Sequence, residues 1–218
     1  MEYQIEKIRH ISHEIKNQLS ICDLYSEIIQ KYCDKNGIND ETIIKSIGSI
    51  KCAVQLAGNL LVELKCASIT DIKNYQINEI LSESYELSKV YGNMCPDIKI
   101  EMALSDDYAV KTDKNKLEGV IINLVKNACE AFDTENKNKK IKISTEKQDS
   151  ILNIIVSNNA SPIKDKEKIF EEGYTTKQSG SGMGLAICQK YMEEISGGLK
   201  LLKSDEISTD FVIQLRIE

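Results

Sequence analysis

The chain has 218 residues, of which 41% are hydrophobic and 28% charged, and its formal net charge is −6 at pH 7. This composition suffices for one folded domain or two small ones and excludes intrinsic disorder as the default expectation. The acidic balance, without a large basic face, argues against nucleic acid as the main partner.

Neither a membrane-spanning segment nor a signal peptide is expected. No apolar stretch approaches the roughly 20 residues that cross a bilayer, and the charged N-terminus lacks the apolar run of a signal peptide. The seven cysteines are too widely spaced for a Cys-x-x-Cys metal site or a compact disulfide framework. We therefore expect a soluble, cytoplasmic protein with reduced cysteines and no membrane segment of its own.

The N-terminal third of the chain has the periodicity of two long helices. Apolar or small residues recur at intervals of three and four, which predicts one narrow buried stripe on each helix. The stripes comprise Ile5, Ile8, Ser12, Ile15, Leu19, Cys22, Ser26 and Ile29 in the first helix and Ile43, Ile47, Ile50, Val54, Ala57, Leu61 and Leu64 in the second. Between them, Gly37 is a stop signal and Asn39 a cap, so we expect the helices to fold back on each other.

One such helical hairpin has too small a core to be stable alone. Two hairpins packed as a four-helix bundle bury both apolar stripes. We therefore expect residues 1–70 to form the dimerisation module of a homodimer.

After about residue 70 the pattern changes to short strands and interspersed helices. Alternating residues predict strands in "IKIEMAL", "KIKIST", "ILNIIVS", "LKLLKS" and "DFVIQLRI". Helical periodicity covers about 77–91, 114–132 and 184–195. The alternation predicts an α/β sandwich over residues 71–218, with helices on one face of a mixed sheet. The expected fold class of the whole chain is therefore α+β, with a domain boundary near residues 68–74.

The segment "SHEIKNQLS" in the first helix contains a candidate nucleophile. Four polar residues fall on one helical face, away from the apolar stripe: His10, His13, Glu14 and Asn17. Glu14 is placed to hold one ring proton of His13 and so raise the nucleophilicity of the other nitrogen. The alternative is a polar surface that happens to contain histidine, and this segment alone does not decide. His10 lacks a following acid and asparagine and fits the alternative better.

Two segments of the second half indicate phosphate binding. In "LEGVIINLVKNACEAF", Asn123 and Asn127 share one face of an apolar helix, where their oxygens can hold a hydrated Mg²⁺ against a triphosphate. Alternatively, they merely cap neighbouring loops. In "SGSGMGLAI", three glycines directly precede a helical pattern and allow the backbone to approach an anion: Gly180, Gly182 and Gly184.

A third segment, "IFEEGYTTK", supplies a candidate polar lid. Its residues Thr175, Thr176 and Lys177 are placed to fold over phosphates. Together with the asparagine helix and the glycine motif, this segment predicts a nucleotide site.

The segments "SHEIKNQLS", "NLVKNACEA", "IFEEGYTTK" and "GSGMGLAI" resemble, in this order, four motifs of two-component sensor histidine kinases. These are the phosphoacceptor, asparagine, phenylalanine-containing and second glycine motifs, and the resemblance covers nearly the entire chain. It implies a dimerisation and phosphotransfer hairpin followed by an ATP-binding domain of the type shared with gyrase, the ninety-kilodalton heat-shock chaperone and the mismatch-repair ATPases. Those relatives lack a histidine hairpin.

The resemblance implies roles for individual residues. His13 would be the phosphoacceptor and Glu14 its activating acid. Asn17 would position a hydrolytic water, as in family members that also act as phosphatases. Asn127 would coordinate Mg²⁺, and Asn123 would support the phosphates nearby.

The lid and the glycine motif also receive roles from the resemblance. Phe170 would pack beneath the lid, and the three glycines would let the lid close on ATP. The implied chemistry is in-line attack of the His13 imidazole on the γ-phosphoryl group, followed by transfer to an aspartate of a separate response regulator.

Two segments depart from the family pattern. Gln18 stands where proline is usual, so the helix kink after the histidine is expected to be absent. The segment "VSNNASPI" aligns with the Asp-x-Gly-x-Gly box that binds adenine. Asn158 replaces its aspartate, Ala160 its first glycine and Pro162 its second, which predicts a weakened ATP site.

The sequence thus favours a soluble histidine kinase that autophosphorylates on His13 with ATP and Mg²⁺ and phosphorylates a response regulator. The alternative is a phosphotransfer or scaffold protein that relays phosphate through His13 and has a degenerate nucleotide site. A more distant alternative is an ATP-binding, chaperone-like protein without phosphohistidine. Because the sequence begins shortly before His13, we expect no sensor domain within it.

Overall fold

The computed structural model describes residues 2–66, 70–94, 98–133, 138–176 and 182–217. The chain divides into two compact units, residues 1–69 and 70–218. Among the helices in the described residues, none is long and apolar enough to span a membrane.

The first unit consists of two helices that pack against each other, α1 (Glu2–Asn36) and α2 (Glu41–Cys66). Gly37 directly follows α1 with a φ of +63°, a left-handed conformation that glycine adopts without the penalty of a Cβ. The predicted helix stop at Gly37 is therefore confirmed.

The cap of α2 differs from the predicted one. The backbone N–H groups of Thr42 and Ile43 donate to Asp40 Oδ1 at 2.8 and 3.1 Å. Asp40 is thus the N-cap, because its carboxylate satisfies two amides that have no partner within the helix. The prediction of Asn39 as the cap is wrong by one position.

Few side chains of the first unit are buried among those that the structure describes: Ser26, Cys33 and Ile47. Members of the predicted apolar stripes remain accessible within one chain, since Ile29 and Ile50 are 43% and 44% exposed. A single copy of this unit therefore leaves much of its apolar surface in contact with water.

The second unit is an α/β layer whose described elements are, in chain order, β1 (Lys73–Gln76), α3 (Ile77–Met94), β2 (Lys99–Ala103), β3 (Ala109–Thr112), α4 (Lys114–Glu130), β4 (Lys140–Gln148), β5 (Ile151–Asn158), α5 (Gly184–Glu194), β6 (Gly198–Ser204) and β7 (Thr209–Arg216). Five strands form one sheet in the order β2-β4-β5-β7-β6. The β2–β4 pair is parallel and the other neighbours are antiparallel. The predicted mixed sheet is therefore confirmed.

Two strands were not predicted. β1 and β3 form a separate antiparallel pair in which Lys73 lies opposite Thr112 and Gln76 opposite Ala109. Four residues are too few to display a reliable period of two, so the sequence pattern does not reveal them.

The core lies between the five-stranded sheet and the helices. α4 packs against α3 and α5 and also contacts β4 and β5. Ile121 of α4, Ile141 of β4 and Ile154 of β5 are all fully buried. Because side chains alternate across a strand, the neighbouring Lys140 and Lys142 point to the opposite face of the sheet, and both are exposed. The central helix α4 is thus held firmly, which fixes the position of the polar residues that it carries.

Candidate functional site

The predicted asparagine pair lies on α4. Asn127 Nδ2 donates to Asn123 Oδ1 at 2.9 Å, so one carboxamide orients the other. Both residues are partly exposed, whereas Ile122 and Leu124 beside Asn123 are buried. The pair therefore forms a polar, accessible position on a helix whose other side chains are largely buried in the core.

The glycine motif brings the start of α5 against this pair. A Cβ at Gly184, the first residue of α5, would lie 2.9 Å from Asn123 Oδ1 and 3.0 Å from Asn123 Nδ2. Only a residue without a side chain permits this approach unless Asn123 moves. The N-cap Met183 makes no side-chain cap hydrogen bond. The first amides of a helix lack intrahelical partners and carry partial positive charge, which suits an anion beside the carboxamides.

Gly182 contacts a second glycine, Gly173, which the sequence motifs do not single out. Both have left-handed backbones, with φ values of +69° and +80°. The Gly173 N–H donates to the Gly182 carbonyl at 3.2 Å. A Cβ at Gly182 would lie 2.3 Å from the carbonyl carbon of Gly173, so the two backbones touch directly. A glycine inside "EEGY" was the available signal, since an isolated glycine marks a turn.

The predicted lid is described only in part. Thr175 and Thr176 are exposed, while Lys177 and Gly180 lie outside the described residues. Gly182 and Gly184, by contrast, are both placed by the structure as given above. The predicted roles of the lid residues in phosphate binding therefore stay predictions.

The segment that precedes the threonines is anchored at two points. The Tyr174 hydroxyl donates to Asp165 Oδ2 at 2.8 Å, and this hydrogen bond raises the pKa of Tyr174 because it stabilises the neutral phenol. The Phe170 ring packs edge-on against Phe211 of β7, with ring centroids 6.3 Å apart. Phe170 thus belongs to the edge of the core and supports this segment from below.

Asn158, at the end of β5, is buried and uses its carboxamide within the protein. Its Oδ1 accepts from the Ala160 N–H at 3.0 Å, and its Nδ2 donates to the Thr209 carbonyl at 3.4 Å. Ala160 is 4% exposed. The altered adenine box is therefore a compact turn stabilised by its own asparagine.

Thr209 was not singled out by the sequence, although it lies directly opposite Asn158 in the β5–β7 pair. Its hydroxyl is 2.7 Å from the Ser204 hydroxyl. Ser204 Oγ accepts from the Ile163 N–H at 2.9 Å, and the Ser204 carbonyl accepts from Lys166 Nζ at 2.6 Å. These bonds tie the segment after Asn158 to the end of β6.

The candidate phosphoacceptor group lies within α1, as predicted. His13, Glu14 and Asn17 all have helical backbones, and the helix continues without interruption through Gln18. Their side chains lie outside the part of the chain whose side chains the structure describes. A shared face for these residues is therefore still a prediction.

Comparisons with known proteins identify the family. Residues 112–218 match the family described as the histidine kinase-, DNA gyrase B- and HSP90-like ATPases. The chain is 31% identical over 197 residues to sporulation kinase C of Bacillus subtilis strain 168, which covers 88% of this chain and 44% of that protein. It spans less than half the length of the first curated relatives it matches.

Two solved structures of one histidine kinase, ThkA, are similar to this chain. The catalytic domain of ThkA has a TM-score of 0.59 and 31% identity, and the match covers 67% of this chain and 95% of that one. ThkA in complex with the response regulator protein TrrA has a TM-score of 0.61 and 27% identity, covering 98% of this chain and 61% of that chain. The chain therefore contains a catalytic ATPase domain of the histidine kinase family, which confirms this part of the resemblance drawn from its motifs. The role of the N-terminal hairpin stays a prediction.

Proposed function

We propose that this chain is a histidine kinase core that autophosphorylates on His13 with MgATP and passes the phosphoryl group to an aspartate of a response regulator. The observation that carries the proposal is the close packing of Gly184 against Asn123. A Cβ added to Gly184 would lie 2.9 Å from Asn123 Oδ1 and 3.0 Å from Asn123 Nδ2. This packing unites the asparagine helix and the glycine motif, which are far apart in sequence, at the start of one helix. Carboxamide oxygens and helix amides together suit a cation bound to a phosphate chain.

The reaction requires one bond to form as another breaks. A ring nitrogen of His13 attacks the γ-phosphorus in line with the bond to the β,γ-bridging oxygen, and ADP leaves with that bonding pair. Glu14 accepts a hydrogen bond from the N–H of the other ring nitrogen and stabilises the positive charge that develops on the imidazole. The aspartate of the receiver domain then attacks the phosphohistidine, which restores the imidazole.

The second unit supplies positioning and charge. Asn127 would hold Mg²⁺ through its carboxamide oxygen, because its nitrogen is committed to Asn123. The described residues contain no group of three or more His, Cys, Asp or Glu side chains that could hold a metal. This fits Mg²⁺, which keeps several waters and is bound by few protein ligands plus phosphates. When bound, Mg²⁺ neutralises part of the phosphate charge.

The proposal is tested by incubating the purified chain with γ-labelled MgATP. We expect acid-labile, base-stable label, which His13→Gln abolishes because the nucleophile is lost. His10→Gln is the matched control and should keep its label, with both variants retaining the helical content of α1. Label that persists in His13→Gln and vanishes in His10→Gln would show that the phosphoacceptor is His10.

We also propose that the functional unit is a homodimer joined through α1. A second apolar face on this helix is exposed within one chain, at positions spaced by three and four: Ile21, Leu24, Tyr25, Ile28 and Tyr32. These five side chains are between 46% and 62% exposed. A contiguous apolar face of this size favours cover by another copy of the hairpin, which presents the same face.

The proposed phosphoryl acceptor is a receiver domain. The proposal rests on analogy with ThkA, whose structure in complex with a response regulator matches 98% of this chain.

Asn17 is proposed to order the water that hydrolyses the phosphoryl group on the receiver. We expect Asn17→Ala to preserve autophosphorylation and to slow dephosphorylation of the receiver. Equal loss of both activities would contradict a separate phosphatase role.

A second candidate function is a phosphotransfer protein that relays phosphate through His13 without its own ATP. It is favoured by Asn158, whose carboxamide already bonds to Ala160 and Thr209. Titration with nucleotide to millimolar concentration separates the two candidates. Saturable MgATP binding supports the kinase, whereas no binding together with label gained from a phosphorylated receiver supports the relay.

A further inference from the structure

Lys116, in the first turn of α4, is a buried cation outside the nucleotide site. Its side chain is only 3% exposed, and its ammonium pairs with Glu194 Oε2 at the end of α5. Lys116 Nζ also donates to Thr70 Oγ1 at 2.7 Å and lies 5.5 Å from the centroid of the Tyr191 ring. A buried charge is tolerated only when it is paired and hydrogen-bonded, so these partners hold Lys116 in one geometry.

Asp113 makes a second link between the same segments. It is 2% exposed, and its Oδ1 accepts from the Lys116 N–H at 3.1 Å, which caps α4. Its Oδ2 accepts from the Asp71 N–H at 2.7 Å. Thr70 Oγ1 in addition lies 3.3 Å from Glu194 Oε2. Residues 70 and 71, which begin the second unit, are thus bonded to both α4 and α5.

The two helices run antiparallel, and the start of α5 meets the middle of α4 at the proposed nucleotide site. Lys116, in the first turn of α4, contacts Tyr191 and Glu194 near the end of α5, while Asn123, in the middle of α4, contacts Gly184 at the start of α5. Lys116 and Asn123 are seven positions apart on α4, or about 10 Å at the rise of an α-helix. Both contacts belong to one packed pair of helices, so a constraint applied at residue 70 acts on the helices that carry the site.

We propose that Lys116 is a positioning residue that couples the entry of the chain into the second unit to the α4–α5 pair. In this arrangement the Lys116–Thr70 bond restricts the segment at residue 70 and, through Lys116, the motion of the α4–α5 pair that carries the proposed site. Nucleotide affinity depends instead on the contact between Asn123 and Gly184, which the hydrophobic core of the second unit holds in place. The activity readout rests on the proposed kinase function, whereas amide exchange does not.

The experiment uses the full chain with Thr70→Val, which removes the hydroxyl and keeps the shape and the Lys116–Glu194 pair. We expect faster hydrogen exchange at residue 71 and residues 116–117, MgATP affinity within about twofold of the original, and autophosphorylation at saturating MgATP slowed about three- to tenfold. Lys116→Met is the second variant and should show the same pattern, since Glu194 is about one-third exposed and stays solvated without its partner.

Thr145→Val is the matched control in the same unit. Thr145 Oγ1 accepts from the Ser105 N–H at 2.7 Å and lies 3.0 Å from Ser105 Oγ, so this variant also loses the bonds of one largely buried hydroxyl, in β4 and not in α4 or α5. It should leave exchange at residues 71 and 116–117 and the phosphorylation rate unchanged.

Unchanged exchange in Thr70→Val, or equal slowing of phosphorylation in Thr145→Val, overturns the coupling role. If the unsubstituted chain shows no autophosphorylation, the proposed function fails, and the exchange comparison still decides the inference. Should Lys116→Met fail to fold, Thr70→Val alone decides it.

Discussion

The two units of the chain differ in how much apolar surface each buries by itself. In the second unit, Ile121, Leu152 and Ile213 are fully buried. In the first unit, Leu24 and Tyr32 of α1 remain 56% and 62% exposed within one chain. The second unit therefore completes its core alone, whereas the first presents an apolar face whose burial requires another surface.

This difference in burial fits separate roles for the two units. A nucleotide site needs side chains fixed by a packed scaffold, and the second unit supplies one in α4. The stability of a helical unit that relies on a second copy depends on concentration, because association shifts its folding equilibrium. Substitutions in the two units should consequently have separable effects.

The largest effect is expected from Ile28→Asp in the first unit. Burial of an unpaired carboxylate costs several kcal/mol, and a homodimer contains the substitution twice, so its dissociation constant should rise more than about 100-fold. Sedimentation at several concentrations measures this change. Nucleotide binding by the second unit should be unaffected, and a variant that still dimerises with the original affinity would rule out the exposed α1 face as the interface.

A core truncation should reverse this pattern. Leu124→Ala removes a side chain that is 1% exposed and should cost the second unit about 2–5 kcal/mol, because the cavity is only partly filled by relaxation. Denaturation followed in the second unit provides the measurement, and the association state should not change. Leu202→Ala, at a 57% exposed position of β6, is the matched control and should stay within about 0.5 kcal/mol of the original.

The contact between Gly182 and Gly173 sharpens the comparison within the second unit. Gly182→Ala forces a Cβ against backbone atoms and displaces the segment, so nucleotide-dependent activity should fall about 10- to 100-fold. Gly173→Ala has a similar left-handed backbone but no atom within 4 Å of its Cβ, so it adds strain without the clash. A much smaller loss is expected in Gly173→Ala, and equal losses would mean that strain alone is responsible.

The smallest effect is expected from Asn158→Asp, which should change two measurements in opposite directions. A carboxylate can accept the adenine amino hydrogen bond with full charge, which should tighten MgATP binding about five- to tenfold. At this buried position a carboxylate cannot donate to the Thr209 carbonyl and places a charge beside it, so the second unit should lose about 1–3 kcal/mol of stability. Calorimetry and thermal unfolding test the two signs, and unchanged affinity would remove Asn158 from the nucleotide site.

Much of the fold could be predicted because most of its helices and strands are long enough to show a regular spacing of apolar residues. The strands of the five-stranded sheet and the helices α3, α4 and α5 were readable in this way. β1 and β3 were missed because each has four residues. Adjacent Asn39 and Asp40 are both good caps, so the sequence alone does not distinguish them.

The local placement of the candidate site residues was predictable where they are close in sequence, whereas contacts between distant residues were not. The spacing of Asn123 and Asn127 places both on one helical face, and Gly184 directly precedes a helical pattern. Outside the candidate site, the ion pair of Lys116 with Glu194 joins residues 78 positions apart. In the sequence each reads as an ordinary surface charge, and only the antiparallel packing of α4 and α5 brings them together.

The outer strands of the five-stranded sheet, β2 and β6, also bear on the colloidal behaviour of this protein. An unpaired strand edge can recruit strands from other molecules, and charged side chains and bulges discourage this. On β2, Lys99 and Glu101 form an exposed ion pair at 2.6 Å. On β6, the register shifts between Leu201 and Lys203. Both edges are thus poor templates for intermolecular β-pairing, which should keep the concentrated protein from forming fibrils.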